Sequence, residues 1–306
     1  MDYVLRTYGL FKKYKKHLAV DNADMTICRG DIYGFVGENG SGKTTIIRLI
    51  TGLIFPLAGR FELFGVPNDS PAIRDARRKV GAVVESPSIY QNMSAYDNLK
   101  MQCGILGLPA DGRIAAVLEE VGLGDLLHEK KHVSDFSLGM RQRMGIAMAL
   151  LGEPEFLILD EPMNGLDPAG IVEVRELILK LNRERNITFL ISSHILSELS
   201  LVATKYGIIS KGRIIKEVTA AQLQAELTKT TDITAENPEA LTALVSGLLP
   251  QEMIAYIPNG VRLTGDIDLN ALLSAIIGGG VRITAINCRQ PSIEEYYLNT
   301  IEGKRV

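Results

Sequence analysis

The stretch GFVGENGSGKTT (34–45) constrains this chain more than any other. Gly37, separated by four residues from Gly42-Lys43-Thr44, has the spacing of a phosphate-binding loop. Its context agrees: IYGFV (32–36) has the pattern of a buried strand, and TTIIRLITGL (44–53) that of an amphipathic helix. Glycines at such a turn let successive backbone N–H groups face an anion beside the positive end of the helix. The residues expected around that anion are Gly37, Asn39, Gly40, Ser41, Gly42, Lys43, Thr44 and Thr45. Lys43 is expected at the β- and γ-phosphates, and the Thr44 hydroxyl at Mg²⁺.

A second stretch, EFLILDE (155–161), raises a question of charge. A continuous apolar run between Pro154 and Pro162 suits a parallel strand covered on both faces. It ends on two adjacent carboxylates, which tolerate one another only when cations share their site. Ligands sit beyond the C-terminal ends of parallel strands. Asp160 is therefore expected to hold Mg²⁺, and Glu161 to take a proton from water attacking the γ-phosphate.

These motifs define a nucleotide hydrolase of the phosphate-loop class without naming the machine. The absence of an NKxD motif argues against guanine. FSLGMRQRMGIAMALL (136–151) narrows the choice, and residues 1 to about 218 resemble an ABC-type ATPase cassette. Ser137 and Gly139 match the family's signature, whereas Leu138 and Met140 depart from it. Gly139 precedes Asp160 by 21 residues, room for a helix and then the strand. The resemblance implies that Ser137 and Gly139 meet the γ-phosphate held by another subunit. It implies Asp167 of MNGLDP (163–168) at the dimer contact. It also implies that His194, after the LISS strand, orients the attacking water, and that Tyr14 stacks on adenine. Phe11 competes with Tyr14 for that role. Glu85 stands where most relatives carry glutamine, and its oxygens are expected at Mg²⁺ or at the attacking water. With FSLGM and LDEPMNGLDPAGI, Glu85 makes the chain similar to the bacitracin-resistance and lantibiotic-immunity branch of exporters. That branch implies ATP and Mg²⁺ as cofactors, an integral-membrane permease as partner, and a homodimer or a paired ATPase subunit. It also implies a place on the inner face of the cell membrane, reached through the permease.

The expected architecture is an α/β cassette over residues 1–220. It has a mostly parallel sheet, additional antiparallel strands and a helical subdomain over about 86–152. SAYD (94–97) is a capping-box start for a helix ending near Gly107, and DGRIAAVLEEVGL (111–123) has helical spacing. From Ala221 onward the charge changes from near balance, 27 basic against 26 acidic residues, to 6 against 10. That shift agrees with a boundary there. Residues 225–306 are expected to form a small ferredoxin-like α+β accessory domain, in the order β-α-β-β-α-β. Cys28, Cys103 and Cys288 have no metal or disulfide spacing and are expected to be buried thiols in a reducing compartment. No apolar run reaches the roughly 18 residues of a membrane span, and the N-terminus has no signal-peptide core. A soluble, cytoplasmic chain is the resulting expectation.

The near-neutral net charge of −3 gives no reason to expect nucleic acid. A soluble ABC protein acting on nucleic acid or ribosomes is the alternative. Ribosome-acting members usually carry two cassettes, and DNA-repair members carry coiled coils or zinc modules, none of which this sequence contains. A catalytically dead cassette is disfavoured because Lys43, Asp160, Glu161 and His194 are all present.

Overall fold

The computed structural model describes residues 2–302 except Asp111, Thr228, Asp266 and Gln290. The chain divides into two compact units, Met1–Ala220 and Ala221–Val306. In the first, a six-stranded sheet runs in the order Arg213–Thr219, Lys205–Ser210, Ile32–Val36, Thr188–Ser193, Phe156–Asp160, Val80–Val83. The last five of these are mutually parallel, and Arg213–Thr219 closes the edge antiparallel to Lys205–Ser210. Ile32–Val36, Phe156–Asp160 and Thr188–Ser193 are buried at every position. This explains why their centres, IYGFV, FLIL and FLI, read as continuous apolar runs instead of alternating ones. Each fully buried Ile, Leu or Phe there stabilises the fold by about 1.5–3 kcal/mol.

A second sheet packs with this unit: Tyr3–Tyr14 pairs antiparallel with His17–Ala23, Thr26–Cys28 and Ala58–Leu63. Ala58–Leu63 in turn pairs with Val66–Pro67. One core cluster joins the sheets, with Val4, Leu10, Val20 and Phe61 packed with Tyr33, Phe35, Ile47 and Phe156. Helices Ala95–Leu106, Arg113–Glu120 and Leu138–Leu150 lie in the segment expected to be helical. Ser94 caps the first, its hydroxyl accepting from Asp97 N at 3.1 Å, and Gly107 ends it in a left-handed turn.

In the second unit, strand Thr230–Ala235 leads to helix Pro238–Leu248, whose first turn is capped by Asn237 accepting from Ala240 N at 3.1 Å. A hairpin follows, Ile254–Ile257 against Gly260–Thr264, then helix Leu269–Gly278, strand Ile283–Arg289 and helix Ile293–Glu302. The sheet order is Ile254–Ile257, Gly260–Thr264, Thr230–Ala235, Ile283–Arg289, antiparallel throughout. Its core gathers Ile233, Leu241, Val245, Val261, Leu263 and Ile276.

The cysteine expectation needs correcting. Cys103 is buried, but Cys28 is only half-buried and Cys288 is exposed on an edge strand; all three are free thiols. Among the described residues, no helix is long and apolar enough to cross a membrane.

Candidate nucleotide site

The parallel strands all point their C-terminal ends to one edge, and register decides which side chains meet there. Val36 pairs with Ser193, Asp160 with Ser192, and Val83 with Leu159. The loop after Val36, His194 after Ser193 and Glu161 after Asp160 therefore emerge side by side.

The loop is shaped by backbone demands. A Cβ on Gly37 would lie 2.5 Å from both the Ile209 carbonyl oxygen and Ser41 Oγ, closer than atoms pack. Gly42 has φ 112°, open to glycine and strained for other residues, and it starts the helix Lys43–Thr51. Ser41 Oγ is buried without a hydrogen-bond partner. Together with the free N–H groups of the helix start, that orphan hydroxyl fits an anion in the loop.

Lys43 is 4% exposed, and its ammonium donates to Gly37 O at 2.5 Å and Glu38 O at 3.2 Å. Glu161 Oε1 is 3.5 Å away. Burial pulls the Lys43 pKa below its usual value, while Glu161 and then Asp160 oppose the shift. The adjacent carboxylates do separate work. Thr44 Oγ1 donates to Asp160 Oδ2 at 2.9 Å, whereas Glu161 Oε2 lies 2.8 Å from His194 Nδ1. Glu161 itself has φ 51°, a left-handed conformation just past the end of the strand.

Two residues here escaped the sequence reading. Ser192 donates to Asp160 Oδ1 at 2.5 Å, and its Oγ accepts from Glu161 N at 2.9 Å, so one hydroxyl ties both carboxylate positions together. The SS pair before His194 was its signal in the sequence. Glu198, on the short helix Leu196–Leu199, has its carboxyl pushed up by burial, with His194 opposing.

The remaining expected residues lie apart from this cluster or have other partners. Ser137 caps the helix Leu138–Leu150, accepting from Met140 N at 3.2 Å, and Gly139 is buried on its first turn, with Gly170 Cα 3.8 Å from where a Cβ would sit. Asp167 caps Pro168–Arg185 by accepting from Gly170 N at 3.1 Å, a local duty that its expected dimer contact did not anticipate. Tyr14 ends its strand 40% exposed, with Lys12 Nζ 5.6 Å from its ring centre. Asn39 and Gly40 are exposed, and Thr45 is half-buried on the helix. Glu85, expected at Mg²⁺ or at the attacking water, has its carboxylate engaged by Arg48.

A phosphate loop at the carboxyl edge of a parallel sheet, with paired carboxylates and a histidine beside it, defines a nucleotide-hydrolysing cassette. Comparison with known proteins gives the family. The ABC transporter family profile matches residues 20–164. The bacitracin transport ATP-binding protein BcrA of Bacillus licheniformis is 39% identical over 306 residues, covering 99% of each chain. The lantibiotic transport ATP-binding protein SrtF of Streptococcus pyogenes is 43% identical, over 70% of this chain and 90% of its own. The structure of cbiO1 from Clostridium perfringens, part of the ABC transporter complex cbiONQ, aligns with TM-score 0.67 and 29% identity. It covers 74% of this chain and 92% of its own. A dimeric post-hydrolysis state of the cassette MJ0796, bound to ADP and Pi, aligns at 0.63 with 22% identity, over 71% and 98%, and speaks to the fold alone. The chain belongs to the ABC transporter family. It is an ATP-binding and ATP-hydrolysing subunit of that family, and the alternative of action on nucleic acid or ribosomes falls away.

Proposed function

We propose that this subunit drives the export of peptide antibiotics through an integral-membrane permease, using a sandwich of two ATPase chains. The carrying observation is the full-length similarity to a bacitracin transport ATP-binding protein, joined to a site with all its hydrolytic groups.

In this reading the loop around Lys43 binds the phosphates and Tyr14 contacts the base. Glu161 accepts the proton of the attacking water, while His194, hydrogen-bonded to it, fixes its direction. Among the described residues, no three His, Cys, Asp or Glu side chains converge as a self-sufficient metal site. Thr44 and Asp160 nonetheless offer the hard oxygen donors that Mg²⁺ takes when phosphate oxygens and water complete its shell. Bound there, Mg²⁺ would neutralise charge developing on the phosphates. The start of the Leu138–Leu150 helix, with Ser137 exposed and Gly139 beside it, would meet ATP held by a second chain.

A groove of about 830 Å³ supports the permease reading. It is lined by Leu53, Arg77, Val84, Ile105 and Met148. Leu53 and Ile105 are 64% and 70% exposed. Arg77 Nε is buried without a hydrogen-bond partner, and that burial lowers the Arg77 pKa. A partner segment with apolar anchors and a carboxylate suits such a groove. For the second unit, the β-α-β-β-α-β connection and its strand order support a ferredoxin-like accessory domain.

Deleting this chain in its host and challenging with bacitracin, lantibiotics and unrelated small drugs tests the substrate class. Selective sensitisation to peptide antibiotics supports it; equal sensitivity to every drug in both strains would rule it out.

A further inference from the structure

Glu85 and Arg48 form an ion pair that no expectation from sequence included. Arg48 lies four residues after Thr44 on the helix Lys43–Thr51, so the two share a face, one turn apart. On the other side, Val83 pairs with Leu159, and Glu85 and Glu161 each follow two residues later, past the ends of those strands. Glu85 thus leaves the sheet at the same edge as the general-base candidate. It has φ 62°, a conformation that costs a non-glycine residue of order 1 kcal/mol. Both side chains remain partly open, 37% for Arg48 and 60% for Glu85, so the pair is adjustable and not locked in a core.

We propose that Arg48 is a positioning residue for ATP binding that acts through Glu85, an inference resting on the nucleotide site assigned above. The site edge carries carboxylates at Glu85, Asp160, Glu161 and, beside His194, Glu198, while Lys43 already serves Glu161 and two carbonyls. A further free carboxylate would repel the polyphosphate. The guanidinium neutralises it and keeps it one helical turn from Thr44. Glutamine at position 85 would need no such partner, so the arginine answers the charge that this chain carries there.

The two halves of the pair should shift ATP affinity in opposite directions. Exposed ion pairs are worth about 0.2–1 kcal/mol, so each shift is up to about fivefold at low salt. In the full-length chain, Arg48→Gln frees the carboxylate and should weaken ATP binding. Glu85→Gln leaves the arginine unopposed and should tighten it, whatever happens to kcat. Arg48→Lys, which keeps the charge, should stay within twofold of wild type. In the Glu85→Gln background, Arg48→Gln should lower affinity by loss of a bare cation, ending near the wild-type value. Equilibrium titration with ATP at two salt concentrations reads all four, after thermal melts establish that each is folded. Weakened binding in Glu85→Gln, or an unchanged affinity in both single variants, overturns the proposal. Should Arg48→Gln fail to fold, the sign of the Glu85→Gln shift and the Arg48→Lys value still decide it. Wild-type affinity in Lys43→Ala would instead reject the nucleotide site itself, a distinguishable failure.

Discussion

Ser192 and Asp160 face each other across two parallel strands, and the serine hydroxyl donates to Asp160 Oδ1 at 2.5 Å. The same oxygen accepts from Glu161 N, so Ser192 orients the proposed metal ligand and the backbone of the proposed base at once. Ser192→Ala leaves a buried carboxylate oxygen without its donor, at a cost of about 1–3 kcal/mol. A denaturant melt should register that loss, and ATP hydrolysis should require more Mg²⁺. Unchanged stability and unchanged Mg²⁺ dependence would mean that Ser192 merely fills space.

Gly37→Ala tests the shape of the loop. The added Cβ meets the Ile209 carbonyl oxygen and Ser41 Oγ at 2.5 Å, so the loop must shift. Overpacking of this kind costs about 1–3 kcal/mol. Calorimetry should find ATP affinity reduced at least tenfold, and wild-type affinity would refute the close approach.

The division of the chain also makes a prediction. A fragment of residues 1–227, cut after the helix Ala220–Glu226, should fold and bind ATP, because the preceding residues form their own core. Circular dichroism and ATP titration check it. An unfolded fragment would make the two units one cooperative structure.

In the second unit, Arg262 hydrogen-bonds Asp232 at 2.7 Å and holds its carboxyl below the usual aspartate value. A depressed carboxylate stabilises the folded state above its unfolded pKa, about 3.9. That contribution disappears as pH falls through the lower folded value. Asp232→Asn should therefore be less stable than wild type at pH 7, with the gap closing below about pH 4. A gap that persists at acid pH would point to packing instead of charge.

The sequence exposed what depends on local pattern, and the structure added what depends on register. The phosphate loop, the EFLIL strand and the caps at Ser94 and Asn237 are legible because each rests on adjacent residues with fixed chemistry. Ser192 was not, since its importance comes from lying opposite Asp160, 32 positions earlier. Arg48 was missed for the same reason: its partner is 37 residues away on another element. Asp167 was read through resemblance as a dimer contact, although Asp-Pro at a helix start is itself a capping signal. Antiparallel strands beside the parallel sheet were expected, but their placement at residues 3–28 was not, because charged and apolar residues mix there without a clean alternation.

Glu161→Gln tests the central reading most directly. The amide keeps the size of the side chain and its contact range to Lys43 and His194 but cannot accept the proton. Turnover and ATP binding should be measured on the same preparation, with sizing chromatography in ATP. A general base at this position predicts a fall in hydrolysis of about 10²–10⁴-fold, with ATP binding retained and an ATP-held dimer accumulating. Hydrolysis at the wild-type rate would contradict the assignment of Glu161, and with it the mechanism built on this edge of the sheet.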